Sequence, residues 1–222
     1  MVESKRRTVV LGIAAAVAGS LGRTGGSSAV AASARPHRID VHSHIAPPEW
    51  IRRLTPEGLI LPPLANWTIA QYLADMERGG VERAITSVTS PGLWFGDPAV
   101  ARPLARACND YAAQLRADHP GRFGVFAVLP LPDIEGSLKE LEYGLDVLKA
   151  DGICLFTSYG DKWLGDPAFD AVFAELNRRK ALVYTHPVAA NCCRNLVPGI
   201  NDATIEFGTD TTRAIARFVF SG

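Results

Sequence analysis

The chain has 222 residues, 47% apolar and 21% charged, with 23 basic side chains against 23 acidic ones. That balance argues against a nucleic-acid or other polyanionic partner, and the composition is that of an ordinary globular protein. The four cysteines lack Cys-x-x-Cys spacing and do not read as a disulfide scaffold.

The N-terminal segment reads as an address. Lys5-Arg6-Arg7 precedes an apolar run from Val9 to Leu21, and small-residue sites follow at Ala29-Val30-Ala31 and Ala32-Ser33-Ala34. A basic start, a short apolar centre and A-x-A sites together mark a secretory signal over residues 1–34. The adjacent arginines resemble a twin-arginine export signal. The run is too short and too rich in Gly and Ala for a stable membrane span. Export to the periplasm or the exterior is the expectation, with a cytoplasmic location as the alternative, and residues 35–222 form the folded domain.

From there strand-like and helix-like segments alternate. Arg38 to His44 reads as the first strand, followed by a Pro-rich loop. Thr68-Ile69-Ala70-Gln71 has the pattern of a capping box opening a helix that ends at Gly79-Gly80. Val81 to Val88 is the second strand, and Asp97-Pro98 starts a helix with a capping carboxylate and a first-turn proline, running to Asp118. Arg122 to Leu129 is the third strand. A helix over 134–150 follows, with Leu138, Leu141, Leu145 and Leu148 in one stripe. Gly152 to Phe156 is the fourth strand, Asp166-Pro167 opens a further helix to Arg179, and Ala181 to His186 is the fifth strand. A last helix is expected from Asp210, with its carboxylate as the cap, to Ser221-Gly222.

Five such units in series predict a parallel sheet with helical crossovers. The histidines decide how it closes. His42 and His44 lie two apart in the first strand, so alternation projects both to one side. His186 ends the fifth strand, where Pro187 stops it. Strand ends of this kind are where parallel α/β folds place their chemistry. A barrel brings strands one and five across a common centre, whereas an open sheet holds them apart. No Gly-x-Gly-x-x-Gly follows the first strand, which argues against a dinucleotide site. Three imidazoles at one end of a barrel are a set of nitrogen donors for one divalent metal ion. His37 and His119 read as surface residues, Cys108 and Cys154 as buried thiols, and Cys192-Cys193 as loop packing.

Ser90 and Trp94 leave the second strand at the same edge and are candidates to contact a flat aromatic substrate, with a tight loop holding a packed Trp as the alternative; Ser158 leaves the fourth strand there as a candidate hydrogen-bond donor. Arg213 is a candidate carboxylate partner, with a structural or subunit contact as its alternative. Asp40 reads as a supporting residue rather than a ligand.

Several segments together resemble a family: Ile39-Asp40-Val41-His42-Ser43-His44, Arg122 to Pro132, Lys149-Ala150-Asp151-Gly152, Leu164-Gly165-Asp166-Pro167, His186-Pro187 and Asp210-Thr211-Thr212-Arg213-Ala214. They are similar to the amidohydrolase-related decarboxylases, of the 6-methylsalicylate and aminocarboxymuconate-semialdehyde type. The resemblance implies a distorted (β/α)8 TIM-like barrel and homodimers. It also implies one divalent metal, usually zinc, held by His42, His44, His186 and an aspartate ending strand eight. The implied activity is non-oxidative loss of CO2 from a small aromatic or enoic acid, with a strand-six histidine assisting. The alternatives are a hydrolase of the same superfamily and an inactive remnant. Only about five of eight strand–helix units are read here, and no catalytic residue is identified in this chain. The acid–base histidine that the resemblance implies is expected beyond Gly222, and so is the eighth-strand aspartate. The chain therefore reads as an incomplete, truncated barrel, with weak or no activity expected of it alone.

Overall fold

In chain order the strands are β1 (Arg38–His44), β2 (Val81–Ser87), β3 (Phe123–Val128), β4 (Gly152–Phe156), a two-residue pair β5 (Ser158–Tyr159) and β6 (Lys162–Trp163), and β7 (Val183–His186). The computed structural model describes residues 38–60 and 62–221. The export-signal reading over 1–34 and His37 fall outside the described residues. So does Gly222, expected as the last residue of the final helix and as the point past which the acid–base histidine lies. β1, β2, β3, β4 and β7 form one sheet in that order with every neighbour parallel. β5 and β6 pair antiparallel as a separate hairpin.

Local chemistry accounts for most element starts. Helix α1 (Pro48–Leu54) and the single turn α2 (Pro62–Ala65) lie where the sequence reads only as a Pro-rich loop. Trp50 and Leu54, both fully buried, hold α1 against the core, and Pro48 sits in a first turn that needs no amide donor. Thr68 caps α3 (Ile69–Gly79) by accepting from the Gln71 amide, and Gly80 ends it at φ +63°. Asp97 caps α4 (Pro98–Asp118) through the Ala99 amide at 2.8 Å. Asp133 caps α5 (Ile134–Glu142), which widens into a π turn over Tyr143–Val147 in place of the continuous helix expected. Asp166 caps a short 3-10 turn (Pro167–Phe169) that leads into α6 (Asp170–Arg179).

The last helix, α7, spans Asp202–Ser221, starting eight residues before the expected Asp210. Asn201 accepts from the Ala203 amide at 2.9 Å and so takes the capping role assigned to Asp210. The early turns are rich in threonine, which disfavours helix in isolation. Inside the fold Thr209, Thr211 and Thr212 turn their hydroxyls back onto the carbonyls of Ile205, Phe207 and Gly208, so they satisfy themselves without leaving the helix.

Every residue of β3 and of β4 is buried, as befits strands covered on both faces. Phe126, Val128, Ile153, Leu155, Leu141, Phe169 and Val172 belong to the main core cluster. Gly152 lets β7 close on β4, since a Cβ there would lie 2.6 Å from the Leu182 carbonyl oxygen. Asn109 of α4 ties down the C-terminal end of β3: its side chain donates to the Val128 carbonyl at 2.9 Å and accepts from the Val128 amide at 2.8 Å.

The sheet is strongly curled. Adjacent strands lie about 4.8 Å apart, so the outer strands of a flat five-stranded sheet stand roughly 19 Å from each other. Here β1 and β7 bring side chains into direct contact: the Nε2 atoms of His44 and His186 are 3.1 Å apart. The result is a partial barrel of five strands, as the α/β reading anticipated.

Candidate metal centre

The three histidines meet at the C-terminal ends of β1 and β7. His42 and His44 share a face of β1 although a bulge between Asp40 and Ser43 interrupts its register with β2. Ring centroids lie 5.0 Å apart for His42 and His44, 5.2 Å for His42 and His186, and 4.7 Å for His44 and His186. One nitrogen from each lies within 4.8 Å of the other two. His42 is exposed, His44 half-buried and His186 buried, so the cluster opens toward solvent on one side.

The surroundings fix the protonation of His44 and His186. His186 Nδ1 lies 2.7 Å from the Pro187 carbonyl oxygen, which can only accept, so Nδ1 carries the hydrogen and Nε2 keeps its lone pair. Burial first, and the neighbouring His44 second, push the His186 pKa down to about 3. Burial and then His42 push His44 down to about 4, against an opposing contribution from the Ser87 backbone. Both rings are therefore neutral at pH 7, the form that binds metal. A tetrahedral ion with nitrogens at about 2.0–2.1 Å places its donors roughly 3.3 Å apart. The 3.1 Å spacing of the two Nε2 atoms fits that demand. Together the three imidazoles make a metal-binding triad. Thr89 Oγ1 stands 3.4 Å from His186 Nε2, and the Asp40 carboxylate accepts from the His42 amide at 2.9 Å, a supporting contact.

Beside the triad is an open cleft of about 450 Å³, counting the solvent at its mouth. Phe156 joins the two, lining the cleft while its ring lies 5.9 Å from that of His186. Trp94 and Ser158, both singled out from sequence, line this cleft. Ser90 precedes Pro91 of the same wall and is half-buried. Gly92 follows at φ +81°, where a Cβ would lie 2.8 Å from the Phe156 ring, and its carbonyl accepts from Trp50 Nε1 at 2.9 Å. Arg194 also lines the cleft, its Nε donating to the Ala189 carbonyl at 3.2 Å, and nothing in the sequence marked it.

Arg213 is engaged elsewhere. It donates to Glu206 at 3.0 Å, lies 3.8 Å from Asp210, and stands over the Trp163 ring at 5.9 Å. Asp210, read as a helix cap, is instead a fully buried carboxylate in mid-helix, accepting from Thr157, Ser158 and Trp163. The apolar Ile205 and Phe207 ahead of it were the available signal that the helix begins earlier. His119 is half-buried at the end of α4, its ring 5.8 Å from Phe123. Cys108 and Cys154 are buried free thiols, and burial pushes the Cys154 pKa up to about 12. Cys192 and Cys193, read as packing, are joined by a disulfide in a short turn, between the cleft residues Asn191 and Arg194 in the chain.

A curled parallel sheet with three histidines at the C-terminal ends of its outer strands defines a metal-binding α/β barrel protein. The chain belongs to the amidohydrolase family, whose profile matches residues 39–219. It is 38% identical over 202 residues to the decarboxylase macB of Penicillium terrestre, covering 84% of this chain and 59% of that protein. It is 42% identical over 159 residues to the 6-methylsalicylic acid decarboxylase acuB of Aspergillus aculeatus, covering 68% and 47% respectively. Among solved structures, an amidohydrolase II superposes with a TM-score of 0.73 at 27% identity, over 83% of this chain and 61% of that one. The 5-carboxyvanillate decarboxylase of Sphingomonas paucimobilis shares the fold, with a TM-score of 0.76 at 22% identity, over 84% and 63%. The chain thus spans about half to three fifths of the length of the relatives it matches.

Proposed function

We propose that this chain carries the metal centre and part of the substrate cleft of a metal-dependent carboxy-lyase acting on a small aromatic acid of the 6-methylsalicylate type. The observation that carries this reading is the meeting of His44 and His186 Nε2 at 3.1 Å beside a cleft walled by Trp94 and Phe156. Identities of 36–42% to 6-methylsalicylic acid decarboxylases support the substrate class.

His42, His44 and His186 would hold the ion, and zinc is our choice because three imidazole nitrogens suit a borderline-soft cation. Manganese is the competing choice, since a solved dihydroxybenzoic acid decarboxylase of Polaromonas holds it. When bound, the ion would supply positive charge for the acid's oxygen atoms and for the negative charge left on loss of CO2. The Pro187 carbonyl keeps the His186 lone pair aimed into the site. Trp94 and Phe156 offer flat apolar faces to an aromatic ring, Ser90 and Ser158 are hydroxyl partners for its substituents, and Arg194 favours an anion at the mouth. Arg213, held by Glu206, has a structural role on this reading. Replacing the lost carboxylate needs a proton donor, and we assign none among the described residues.

The test is to load the purified chain with zinc or manganese, measure stoichiometry, and supply 6-methylsalicylate and, separately, its methyl ester and amide. Release of CO2 with 3-methylphenol supports a decarboxylase that works in this chain. Stoichiometric metal and bound acid without turnover supports a metal centre that is only part of one. A hydrolysed ester or amide, with 6-methylsalicylate untouched, favours a hydrolase, and absence of metal binding favours a remnant.

We further infer export by the twin-arginine route, on the strength of Lys5-Arg6-Arg7 ahead of the Val9–Leu21 run. Recovery of a mature form beginning near Arg35, lost on Arg6→Lys/Arg7→Lys substitution, is the expected result. No helix among the described residues is long and apolar enough to cross a membrane. Homodimerisation is part of the same reading, supported by exposed Ile215, Val219 and Phe220 along α7, and sedimentation at micromolar concentration checks it.

A further inference from the structure

We propose that Asp210 is a positioning residue for the metal centre: from α7 it clamps the exits of β4 and β7, fixing the backbone on either side of His186 and the cleft residue Ser158. The inference rests on the metal-centre reading above and goes beyond it by assigning work to a helix that contributes no donor.

The carboxylate is completely buried, a costly place for a charge unless it is hydrogen-bonded and paired. Its Oδ2 accepts from the Thr157 hydroxyl and from Ser158 Oγ at 3.0 Å, and its Oδ1 accepts from the Trp163 indole. Arg213, donating to Glu206 at 3.0 Å, stands 3.8 Å from Oδ1. All three donors come from the segment that leaves β4 at the active edge. Stability alone is served as well by an apolar side chain at such a position. Only a group with several acceptor sites can hold three donors from one loop at once.

Thr157 is the relay. Its hydroxyl donates to Asp210 and accepts from the Val188 amide at 3.2 Å, while its own amide donates to the His186 carbonyl at 3.0 Å. The residue bearing the metal donor and the one two places on are thus both tied to Thr157, whose hydroxyl rotor is fixed by Asp210. Ser158, tied to the same oxygen, lines the cleft. Loss of the carboxylate releases the Thr157 hydroxyl and, through it, the loop that sets the His186 ring. Outer partners of this sort are worth about 10–100-fold in metal affinity.

The test uses the full chain and cobalt(II), whose visible absorption reports nitrogen coordination. Asp210→Asn is compared with Ala214→Gly, a substitution in the same helix at a buried residue whose side chain can hydrogen-bond to none of these donors. Both are checked by circular dichroism and melting temperature, and amide exchange is followed residue by residue. Asp210→Asn is expected to weaken cobalt binding tenfold or more and to release the Thr157, Ser158 and Val188 amides selectively. Ala214→Gly, at an equal or larger loss of melting temperature, is expected to do neither. Unchanged cobalt affinity in folded Asp210→Asn, or an equal loss in Ala214→Gly, overturns the proposal. Where Asp210→Asn does not fold, Thr157→Val replaces it: lost affinity restored by Thr157→Ser supports the relay, and full affinity in Thr157→Val refutes it. An unsubstituted chain that takes up no cobalt defeats the metal-centre reading instead. The exchange data then decide alone, selective release upholding the clamp and uniform or absent release overturning it.

Discussion

His44 and His186 sit on the two outer strands of one five-stranded sheet, yet their Nε2 atoms lie 3.1 Å apart. Two neutral imidazoles, one half-buried and one buried, facing one another so closely make a poor ending for a sheet and a good beginning for a cation site. Substituting His44 or His186 by alanine should therefore lower divalent metal affinity by more than the about 10–100-fold that an outer partner is worth. Titration calorimetry with zinc checks this. A variant lacking either ring and binding zinc as the native chain does would contradict the assignment.

Gly92 holds the cleft wall open. Alanine there must adopt φ near +81° and place its Cβ 2.8 Å from the Phe156 ring. Strain of this kind costs about 1–3 kcal/mol. Urea denaturation should show that loss, and since Phe156 contacts His186, the same variant should bind metal less tightly. A melting curve equal to that of the native chain would show that the loop relaxes freely.

Asp133 gives a pH dependence with a definite sign. The Arg102 guanidinium holds its carboxyl below the ordinary carboxylate range. A lowered folded-state pKa stabilises the fold above the unfolded value, about 3.9, and that stability is lost as pH falls through the folded value. Asp133→Asn keeps the cap acceptor for the Gly136 amide but removes the charge. Arg102 is 41% exposed, so solvent screening keeps the effect of the pair small. In urea titrations at low salt the native chain should be slightly more stable than the variant at pH 7, with the gap closing toward pH 2. A gap that persists at pH 2 would place the effect in packing rather than charge.

Asn109 is expected to be the most sensitive polar residue in the core. Its amide satisfies both backbone groups of Val128 and also donates to Glu140 at 2.8 Å. Leucine would fill the space and strand those groups, each at about 1–3 kcal/mol. A loss of roughly 3 kcal/mol in chemical denaturation is the expected outcome, and a loss under about 1 kcal/mol would mean that water replaces the amide.

Much of this protein was legible before any coordinates. Helix starts at Thr68, Asp97 and Asp166 were readable because capping is local chemistry between residues two or three apart. β1 and β4 match the expected bounds, and the three histidines were picked out by alternation and by Pro187. Less was legible where distant residues decide. α1 hides in a Pro-rich stretch because its stability comes from burying Trp50 and Leu54. The start of α7 is hidden by threonines whose hydroxyls find carbonyls only once the helix exists.

By itself the sequence determined which side chains alternate to one face, where helices can begin, and that strands one and five end in imidazoles. Whether those imidazoles meet was decided by the curl of the sheet, which sums twist and packing over every strand between them. The role of Asp210 was likewise set by the fold alone, because a carboxylate reads as a cap or as a buried acceptor according to which donors lie 52 or 53 residues away in the chain. Local rules carry no information over that separation; only the packed core does.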